Sequence, residues 1–477
     1  MLITSDRFRW VYCQLDTLCR CFPPSIRKVL NELPITLDET YERTLQGIPR
    51  EKKDHSRRLF QCLVAAARPL RVEELAEIFT IEFDANATPN MVEGWRPESP
   101  EEAVLSACST LVAIVDDGAN RIVQFSHFSV KEFLTSDRLR ISDIGTISHY
   151  YVPLEPAHTT LARACLTVLL QLDETVDKER LATFPLVFYS AQHWVKHAKF
   201  ENVTSQIQDF LECLFDPTRS HFAAWTRIYN IDPRMERPID DLAGHSASLT
   251  RTPLYYAALY GFFGLAKHLV TMHAEDVNAK CGMGSPLHAA SYGGHLDIAH
   301  FLLDLRADPN ATNESTRTPL CAAYDGGHFE VMRLLLEHGA IADAWHNIDQ
   351  RLLHRVSHDG KLEFTRLLLQ HNANVNIRSA NSSTPLHMAT LWKQQLPQTV
   401  EILLEYQADV NALNQYSDTP LFLASWCGNL ENVKVLLEHG ADIHIRGERN
   451  WTPFQAAREN GHDEIARLLL EHGSKRD

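Results

Sequence analysis

A Thr-Pro dipeptide, or a close variant of it, recurs through the second half of the sequence at a nearly constant interval. It begins at residues 252, 285, 318, 351, 384, 419 and 452, so the interval is 33 residues in five cases and 35 in one. Each occurrence opens a similar segment, such as TPLYYAALYGFFGLAKHLV or TPLFLASWCGNLENVKVLL. A period of this length predicts a stack of small units, each of which buries its apolar face only against its neighbours.

The residue types within each unit predict a pair of helices. Threonine can accept a hydrogen bond from a free N–H of the first turn, and the proline after it takes the first helical position, where no donor is lost. A glycine ends the first helix, and a run of leucines buries the second. The segments resemble ankyrin repeats. The resemblance predicts a solenoid over residues 246–477 with about seven repeats, at residues 252–283, 285–316, 318–349, 351–382, 384–417, 419–450 and 452–477.

Two repeats depart from this pattern. The fourth has Arg351 and Leu352 in place of Thr-Pro. We expect its first helix to lack a cap, at a cost of about 1 kcal/mol. The fifth has two extra residues and Pro397 in the segment LWKQQLPQT, where the other repeats have a short turn. This insertion is expected to protrude or to redirect the helix that follows.

Residues 57–140 show a different order of signals. The helical segments RRLFQCLVAAA, VEELAEIF and EEAVLSACSTL are followed by two alternating runs, LVAIV and RIVQFS, joined by the turn sequence DDGAN. Such a pair predicts a β-hairpin. A closing helix, SVKEFLTSD, follows, with Ser126 or Ser129 as its expected cap. This order predicts a winged-helix domain. Its third helical segment contains no lysine or arginine, which disfavours DNA binding.

Several N-terminal phrases resemble the end of a NACHT module and the winged-helix region of fungal STAND-type proteins with ankyrin repeats. They are FRWVYCQLDTL, LPITLDETYERTL, RPLRVEELAEIF, VQFSHFSVKEFL and AQHWVKHA. The resemblance implies a mainly α chain with a NACHT-like helical segment at 1–56, a winged-helix-like domain at 57–140 and a helical linker domain at 141–245.

The same resemblance implies a role in signal transduction similar to innate immunity. In that family an upstream nucleotide-binding domain drives a switch and the repeats sense a ligand. The resemblance also implies that His127 contacts the nucleotide phosphate. The competing interpretation, a structural histidine at a strand-to-helix junction, is the one we favour in this chain.

The sequence predicts no enzyme, no cofactor and no catalytic residues. It contains no G-x-x-x-x-G-K-[ST] phosphate loop and no G-x-S-x-G nucleophile elbow. His193 and His197 are spaced four apart, as half of a metal site would be, but a structural pair is favoured. Most other histidines occupy fixed repeat positions, one per repeat, so no metal site is predicted.

The charge balance bears on the partners. The chain has 46 lysines and arginines against 61 aspartates and glutamates, a net charge of -15. This excludes a general electrostatic affinity for nucleic acid or anionic membranes, and the apolar runs are too short to insert into a membrane. Ten cysteines without a C-x-x-C pair and a start without a signal peptide predict a cytoplasmic protein. Whether Met1 is the true start, or whether the chain is part of a longer NACHT protein, is open.

Together these observations predict a protein–protein interaction scaffold that binds a partner of basic character through the concave and hairpin face of the solenoid. The alternative is the regulatory part of a nucleotide-driven switch whose NTPase domain is upstream or separate. Aromatic and polar residues in variable repeat positions are the candidate partner-binding residues. Those near the ends of the first helices are Tyr292, Asp325, His358, Trp392, Trp426 and Glu459, and those at the hairpin tips are Trp345, Tyr416 and Trp451.

Overall fold

The computed structural model describes residues 36–83, 90–118, 120–142, 145–173, 175, 177–228, 252–391 and 397–473. The chain divides into two compact units, residues 1–245 and 246–477. The first is built from helices and one small sheet, and the second is entirely a repeat array. The phrase FRWVYCQLDTL lies outside the described residues.

The first described helix, α1 (Leu37–Gln46), begins with a capping box. Thr36 Oγ1 accepts from the Glu39 N–H at 3.2 Å, and Glu39 Oε2 accepts from the Thr36 N–H at 3.4 Å. The two side chains thus satisfy two of the donors that every helix leaves free at its start.

A winged-helix domain follows, as the sequence predicted. Its helices and strands, in chain order, are α2 (Lys53–Ala65), β1 (Leu70–Arg71), α3 (Val72–Ile78), α4 (Pro100–Cys108), β2 (Val112–Asp117), β3 (Asn120–Phe125) and α5 (Phe128–Leu134). The strands form an antiparallel sheet in the order β1-β3-β2, and the hairpin pairs Val112 with Phe125. The two-residue strand β1 was not predicted, because its pairing with β3 leaves no periodic signal in so short a segment.

Eight further helices follow in the first unit, and three of them share a core of aromatic side chains. The eight are α6 (Asp137–Arg140), α7 (Gly145–Ser148), α8 (Leu154–Leu169), α9 (Lys178–Ala182), α10 (Val187–Ala198), α11 (Val203–Gln206), α12 (Gln208–Phe215) and α13 (His221–Ile228). Trp194 and Trp225 are fully buried, with ring centroids 5.3 Å apart in an edge-to-face arrangement. No described helix is long and apolar enough to span a membrane.

The second unit consists of paired helices, which we call the inner and the outer helix of each repeat. The inner helices are Pro253–Tyr260, Pro286–Gly293, Pro319–Gly326, Leu352–His358, Pro385–Thr390, Pro420–Cys427 and Pro453–Glu459. The outer helices are Phe263–His273, Leu296–Asp304, Phe329–Glu337, Leu362–Gln370, Pro397–Glu405, Leu430–Glu438 and Asp463–Glu471. Inner helices stack on inner helices and outer on outer at five of the six junctions, which gives two layers. At the junction between repeats 3 and 4 the contact is made by side chains, such as Tyr324 and Phe329 against Phe364. The predicted solenoid is confirmed.

Histidines connect neighbouring repeats at several junctions of the array. In repeat 2, His288 Nδ1 accepts from the Ser285 N–H at 3.1 Å, so its Nε2 carries the proton and donates to the Arg317 carbonyl of repeat 3 at 3.0 Å. His387 bonds in the same way to Thr384 and, in the next repeat, to the Asp418 carbonyl. A second set of histidines, after the inner helices, donates from Nε2 to the preceding repeat, as His295 does to the Leu259 carbonyl at 3.1 Å.

These histidines should make the repeats sensitive to mild acid. Burial lowers the pKa of His387 from 6.5 to about 4, because the charged ring is poorly solvated. The unfolded chain therefore binds a proton that the folded chain rejects, so stability is complete above pH 6.5 and declines as the pH falls toward 4. We expect His387→Gln to reduce the loss of unfolding free energy between pH 6.5 and 5.5 by about 1 kcal/mol, measured by urea denaturation.

Glutamine suits this position because Gln455 holds it in repeat 7, where its Oε1 accepts from the Thr452 N–H at 2.9 Å. The matched control is His444→Gln, at an exposed histidine, which should leave the pH dependence unchanged. Equal acid sensitivity in His387→Gln and the unmodified protein would contradict the prediction.

The fourth repeat begins without a side-chain cap, as the sequence predicted. Other contacts hold this start in place. The Leu352 N–H donates to the Ala344 carbonyl at 2.8 Å, and Arg351 Nη1 donates to the Asp343 carbonyl at 2.9 Å. The Arg351 guanidinium also lies 3.5 Å from the centroid of the Trp345 ring. The repeat thus uses a backbone donor that proline would remove.

We therefore expect Leu352→Pro to destabilise the repeat array, although proline holds this position in the other six repeats. The change deletes the hydrogen bond to Ala344 and leaves that carbonyl unpaired, at a cost of about 1–3 kcal/mol. Thermal unfolding followed by circular dichroism measures the effect. Leu352→Met, which keeps the N–H, is the control, and a higher melting temperature for Leu352→Pro would overturn the prediction.

In the fifth repeat the insertion falls mainly on residues 392–396, which lie outside the described residues, so the expected protrusion stays a prediction. Pro397 is the first residue of the outer helix Pro397–Glu405. This position suits proline, because the first turn of a helix needs no N–H donor.

Candidate functional site

Five of the predicted partner-binding residues occupy one position in successive repeats. This position is the seventh residue after the threonine, or its replacement, that begins the repeat, and it lies at the end of the inner helix. It holds Tyr292, Asp325, His358, Trp426 and Glu459. Because the inner helices stack, this position forms a row along one layer. Trp345, Tyr416 and Trp451 lie in the hairpin segments that precede the inner helices. Trp392 lies outside the described residues.

Trp426 and Trp451 form the best-defined feature of this surface. Their rings are stacked, with centroids 5.8 Å apart, and the Arg449 guanidinium lies 5.5 Å from one centroid and 5.2 Å from the other. Both rings are half-buried and pack against Phe422 in the core between repeats 6 and 7. We call Trp426, Arg449 and Trp451 the tryptophan platform.

The backbone fixes the position of the exposed arginine in the platform. Arg449 has φ +61°, in the left-handed region that side chains other than glycine seldom adopt. The hairpin around it is closed by hydrogen bonds between Gly447 and Trp451 at 2.9 Å and from the Asn450 N–H to the Gly447 carbonyl at 3.1 Å. A cation held over an aromatic face contributes about 0.5–1 kcal/mol at an exposed site. The platform is therefore preorganised.

The hairpin tips expose further apolar area. Trp345 is 38% exposed, Tyr416 56% and Ile348 87%. Sequence reasoning did not select Ile348, although an isoleucine at a hairpin tip is itself a signal, because a large apolar side chain there has no core to enter. Aromatic anchors surrounded by polar groups are typical of protein interfaces.

The predicted acidic residues of the surface are already paired. Asp325 forms a salt bridge with Arg317 and lies 3.3 Å from His346 Nε2. Burial, with Arg317 and Arg355 nearby, lowers the pKa of His346 to about 4, so this ring is neutral at pH 7. Glu459 pairs with Arg458 at 3.0 Å.

His358 belongs to a second polar cluster, centred on Asp359. Its Nδ1 lies 3.1 Å from Asp359 Oδ1, and the other oxygen, Oδ2, accepts from the Tyr324 hydroxyl at 2.6 Å and from Arg355 Nε at 2.9 Å. This second cluster connects repeat 3 to repeat 4 through the Tyr324 hydroxyl. The carboxylates of the surface thus serve internal contacts, and the aromatic side chains are the groups presented to a partner.

His127 has a local structural role in the winged-helix domain. It is the N-cap of α5, and its Nδ1 accepts from the Ser129 N–H at 3.3 Å. The expectation that Ser126 or Ser129 caps this helix is wrong. Ser126 Oγ donates to the Thr110 carbonyl at 3.0 Å, and Ser129 Oγ lies 2.9 Å from the Tyr41 hydroxyl, so both hydroxyls are engaged elsewhere.

His193 and His197 both lie against the Tyr189 ring, with centroids 4.8 and 5.9 Å from it. The fully buried His197 bonds through Nε2 to the Tyr189 hydroxyl at 2.8 Å and through Nδ1 to His158 at 2.9 Å. Because Tyr189 accepts from the Ala67 N–H at 3.0 Å, its own proton points to His197. Burial lowers the pKa of His197 to about 3, so this histidine is neutral at pH 7. Within the described residues no group of three or more histidine, cysteine or acidic side chains could hold a metal ion.

Comparison with known proteins agrees with this architecture. The family model of ankyrin repeats matches residues 235–313, 287–379 and 353–447, and a single-repeat model matches 449–477. A model described as the winged-helix domain of GPI inositol-deacylase matches residues 41–145. The chain is therefore an ankyrin-repeat protein with a winged-helix domain ahead of its repeats.

A curated relative and a solved structure are each similar to about half of this chain. The chain is 31% identical over 275 residues to the azaphilone pigments biosynthesis cluster protein L of Monascus ruber, over 53% of this chain and 55% of that protein. It thus spans about half the length of this relative. The human ASB11 ankyrin repeat domain is similar over 48% of this chain and 100% of its own length, with 29% identity and a TM-score of 0.42.

Proposed function

We propose that this protein is a cytoplasmic interaction scaffold that binds a protein partner through the concave and hairpin face of its repeats. The tryptophan platform is the observation that carries the proposal, because tryptophan and arginine are the residue types most often responsible for binding energy at interfaces. The platform is held by the core and the hairpin, so little conformational entropy is lost when a partner binds.

Tyr416 and Trp345 extend the proposed surface along the hairpin tips. Tyr416 is more than half exposed, and Trp345 is covered on one face by Arg351. We expect the partner to place apolar or aromatic side chains against these rings. A basic partner stays a prediction. Asp325 and Glu459 are already paired within the protein. The positive charge of a basic partner would therefore act mainly on the association rate.

The test is affinity capture from an extract of the source cells, quantified by mass spectrometry and followed by calorimetric titration of each captured protein. The surface variant combines Arg449→Asn and Tyr416→Ser. Asparagine tolerates the left-handed backbone at position 449, so the fold is retained. The matched control is Met272→Ser, at a residue that is 71% exposed on the outer helix of repeat 1.

A true partner should bind the unmodified protein and the control equally, and the surface variant at least about tenfold more weakly, which corresponds to the loss of one interface hot spot. If every protein that binds the unmodified chain binds the surface variant with the same affinity, the proposed surface is wrong. Varying the salt concentration of the titrations tests the charge of the partner.

The alternative, a regulatory part of a NACHT-type nucleotide switch, rests on the sequence resemblance. His127 would carry it, but this residue caps α5. We therefore keep the scaffold as the proposed function. The nucleotide switch predicts that His127→Asn, which retains a capping side chain, changes nucleotide-dependent assembly with an NTPase domain, whereas the scaffold predicts no change.

A further inference from the structure

A cleft of about 250 Å³ lies within the first unit. One wall is a face of α3 that carries Glu73, Ala76 and Glu77. Thr80, two residues after the end of this helix, extends the same wall. The other walls come from the segment that leads into α4, including its first residue, and from the end of α9 with the segment after it. They contribute Arg96, Pro97, Pro100, Ala182, Thr183 and Pro185.

Glu77 is the unusual member of this lining. Only 4% of Glu77 is exposed to solvent. One carboxylate oxygen, Oε2, accepts from the Leu186 N–H at 2.6 Å. The other, Oε1, receives no hydrogen bond from any described residue. Leaving a buried acceptor unsatisfied costs about 1–3 kcal/mol, and more when the group is charged.

The nearest cation only partly compensates this carboxylate. Arg96 Nη2 lies 3.5 Å from Glu77 Oε1, beyond a normal N–H···O hydrogen bond, and it donates instead to the Thr183 carbonyl at 2.7 Å. Burial raises the pKa of Glu77 to about 7, against the opposing effects of the Leu186 hydrogen bond and of Arg96. The neighbouring Glu74 is satisfied by Arg68 and Arg71, so those arginines are committed elsewhere.

The lining defines the chemistry of an occupant. Glu73 and Glu77 provide two carboxylates against the single guanidinium of Arg96, so the cleft favours a cation. Three prolines and two alanines provide a rigid apolar remainder.

We infer that this cleft binds a small organic amine, whose ammonium group donates a hydrogen bond to Oε1 of Glu77 and whose hydrocarbon part lies against Pro97, Pro100 and Pro185. The site is independent of the repeats, so this inference goes beyond the proposed scaffold function and does not depend on it. Binding satisfies the buried oxygen and replaces solvent by an apolar body against rigid walls.

The test is calorimetric titration of the full chain with phenethylamine, and with 2-phenylethanol as a neutral analogue of the same shape. We expect the amine to bind and the alcohol to bind at least about tenfold more weakly, since a hydrogen bond to a charged group contributes more than a neutral one. Glu77→Gln keeps the volume and an acceptor for Leu186 but removes the charge, and it should weaken amine binding by about tenfold or more.

Two further variants separate binding from folding. Arg96→Gln removes the cation that competes for Oε1 and should strengthen amine binding, an effect that a purely structural role for Glu77 would not produce. Ala182→Phe fills the cleft from an exposed position and should abolish amine binding without altering the circular dichroism spectrum. The inference is overturned if the amine fails to bind at millimolar concentration, if the alcohol binds equally well, or if Ala182→Phe binds the amine normally.

Discussion

Replacing Trp194 by alanine is expected to destabilise the helical part of the first unit by about 3–5 kcal/mol, the range for deleting a buried aromatic side chain. The indole is fully buried in α10. It packs edge-to-face on Phe215 of α12, with centroids 6.1 Å apart, and on Trp225 of α13, at 5.3 Å. Three helices therefore depend on one side chain, and the cavity left by alanine cannot be closed by movement of any single helix.

Hydrogen exchange of the full chain measures this loss locally. The free energy of opening should fall by about 3–5 kcal/mol for amides of α10, α12 and α13. The opening free energy of amides in the repeats should not change, because the repeats form a separate unit. The control is Trp95→Ala, at a tryptophan that is 51% exposed, which should cost at most about 0.5 kcal/mol. A loss below about 1 kcal/mol for Trp194→Ala would show that this core is less tightly packed than the structure indicates.

The second large effect is expected at Tyr324, between repeats 3 and 4. This position holds a smaller side chain in five of the other repeats, namely Ala258, Ser291, Ser357, Thr390 and Ser425. The Tyr324 ring is buried and meets Phe364 edge-to-face at 5.4 Å, and its hydroxyl donates to Asp359. Tyr324→Ala should therefore cost about 3–5 kcal/mol at a single junction of the stack.

Because each repeat contacts only its neighbours, weakening one junction should divide the array into two cooperative parts. We expect urea unfolding of Tyr324→Ala to show two transitions and hydrogen exchange to place the break between repeats 3 and 4. Tyr324→Phe isolates the hydroxyl and should cost only about 1.5–3 kcal/mol. A single transition for Tyr324→Ala, at the midpoint of the unmodified protein, would contradict this prediction.

The repeats could be predicted from sequence because their signals are local. Within the repeats Thr-Pro marks the start of the inner helix, and a glycine such as Gly294, with φ +75°, marks its end. The winged-helix order was also readable, since DDGAN and the alternating runs specify a hairpin without reference to the rest of the chain. Each of these features depends on fewer than about ten consecutive residues.

The features that sequence reasoning missed depend on residues far apart in the chain. Tyr189, His197 and His158 form one hydrogen-bonded chain across two helices, but the sequence showed only the spacing of His193 and His197. Glu77 looks like one of several acidic residues of α3 until the fold places Leu186 and Arg96 beside it. For the partner surface, the sequence located Trp426 and Trp451, but their stacking on Arg449 required the hairpin geometry.

The histidine contacts between repeats also determine how the molecule would carry mechanical load. His288 bonds forward toward repeat 3 and His295 bonds back to repeat 1, so a pull along the array would load these hydrogen bonds at the junctions of repeat 2. Such an array extends by losing one repeat at a time. With a period of 33 residues and about 3.4 Å per extended residue, each rupture releases roughly 110 Å of chain. The array is therefore expected to lengthen in steps of about this size under load.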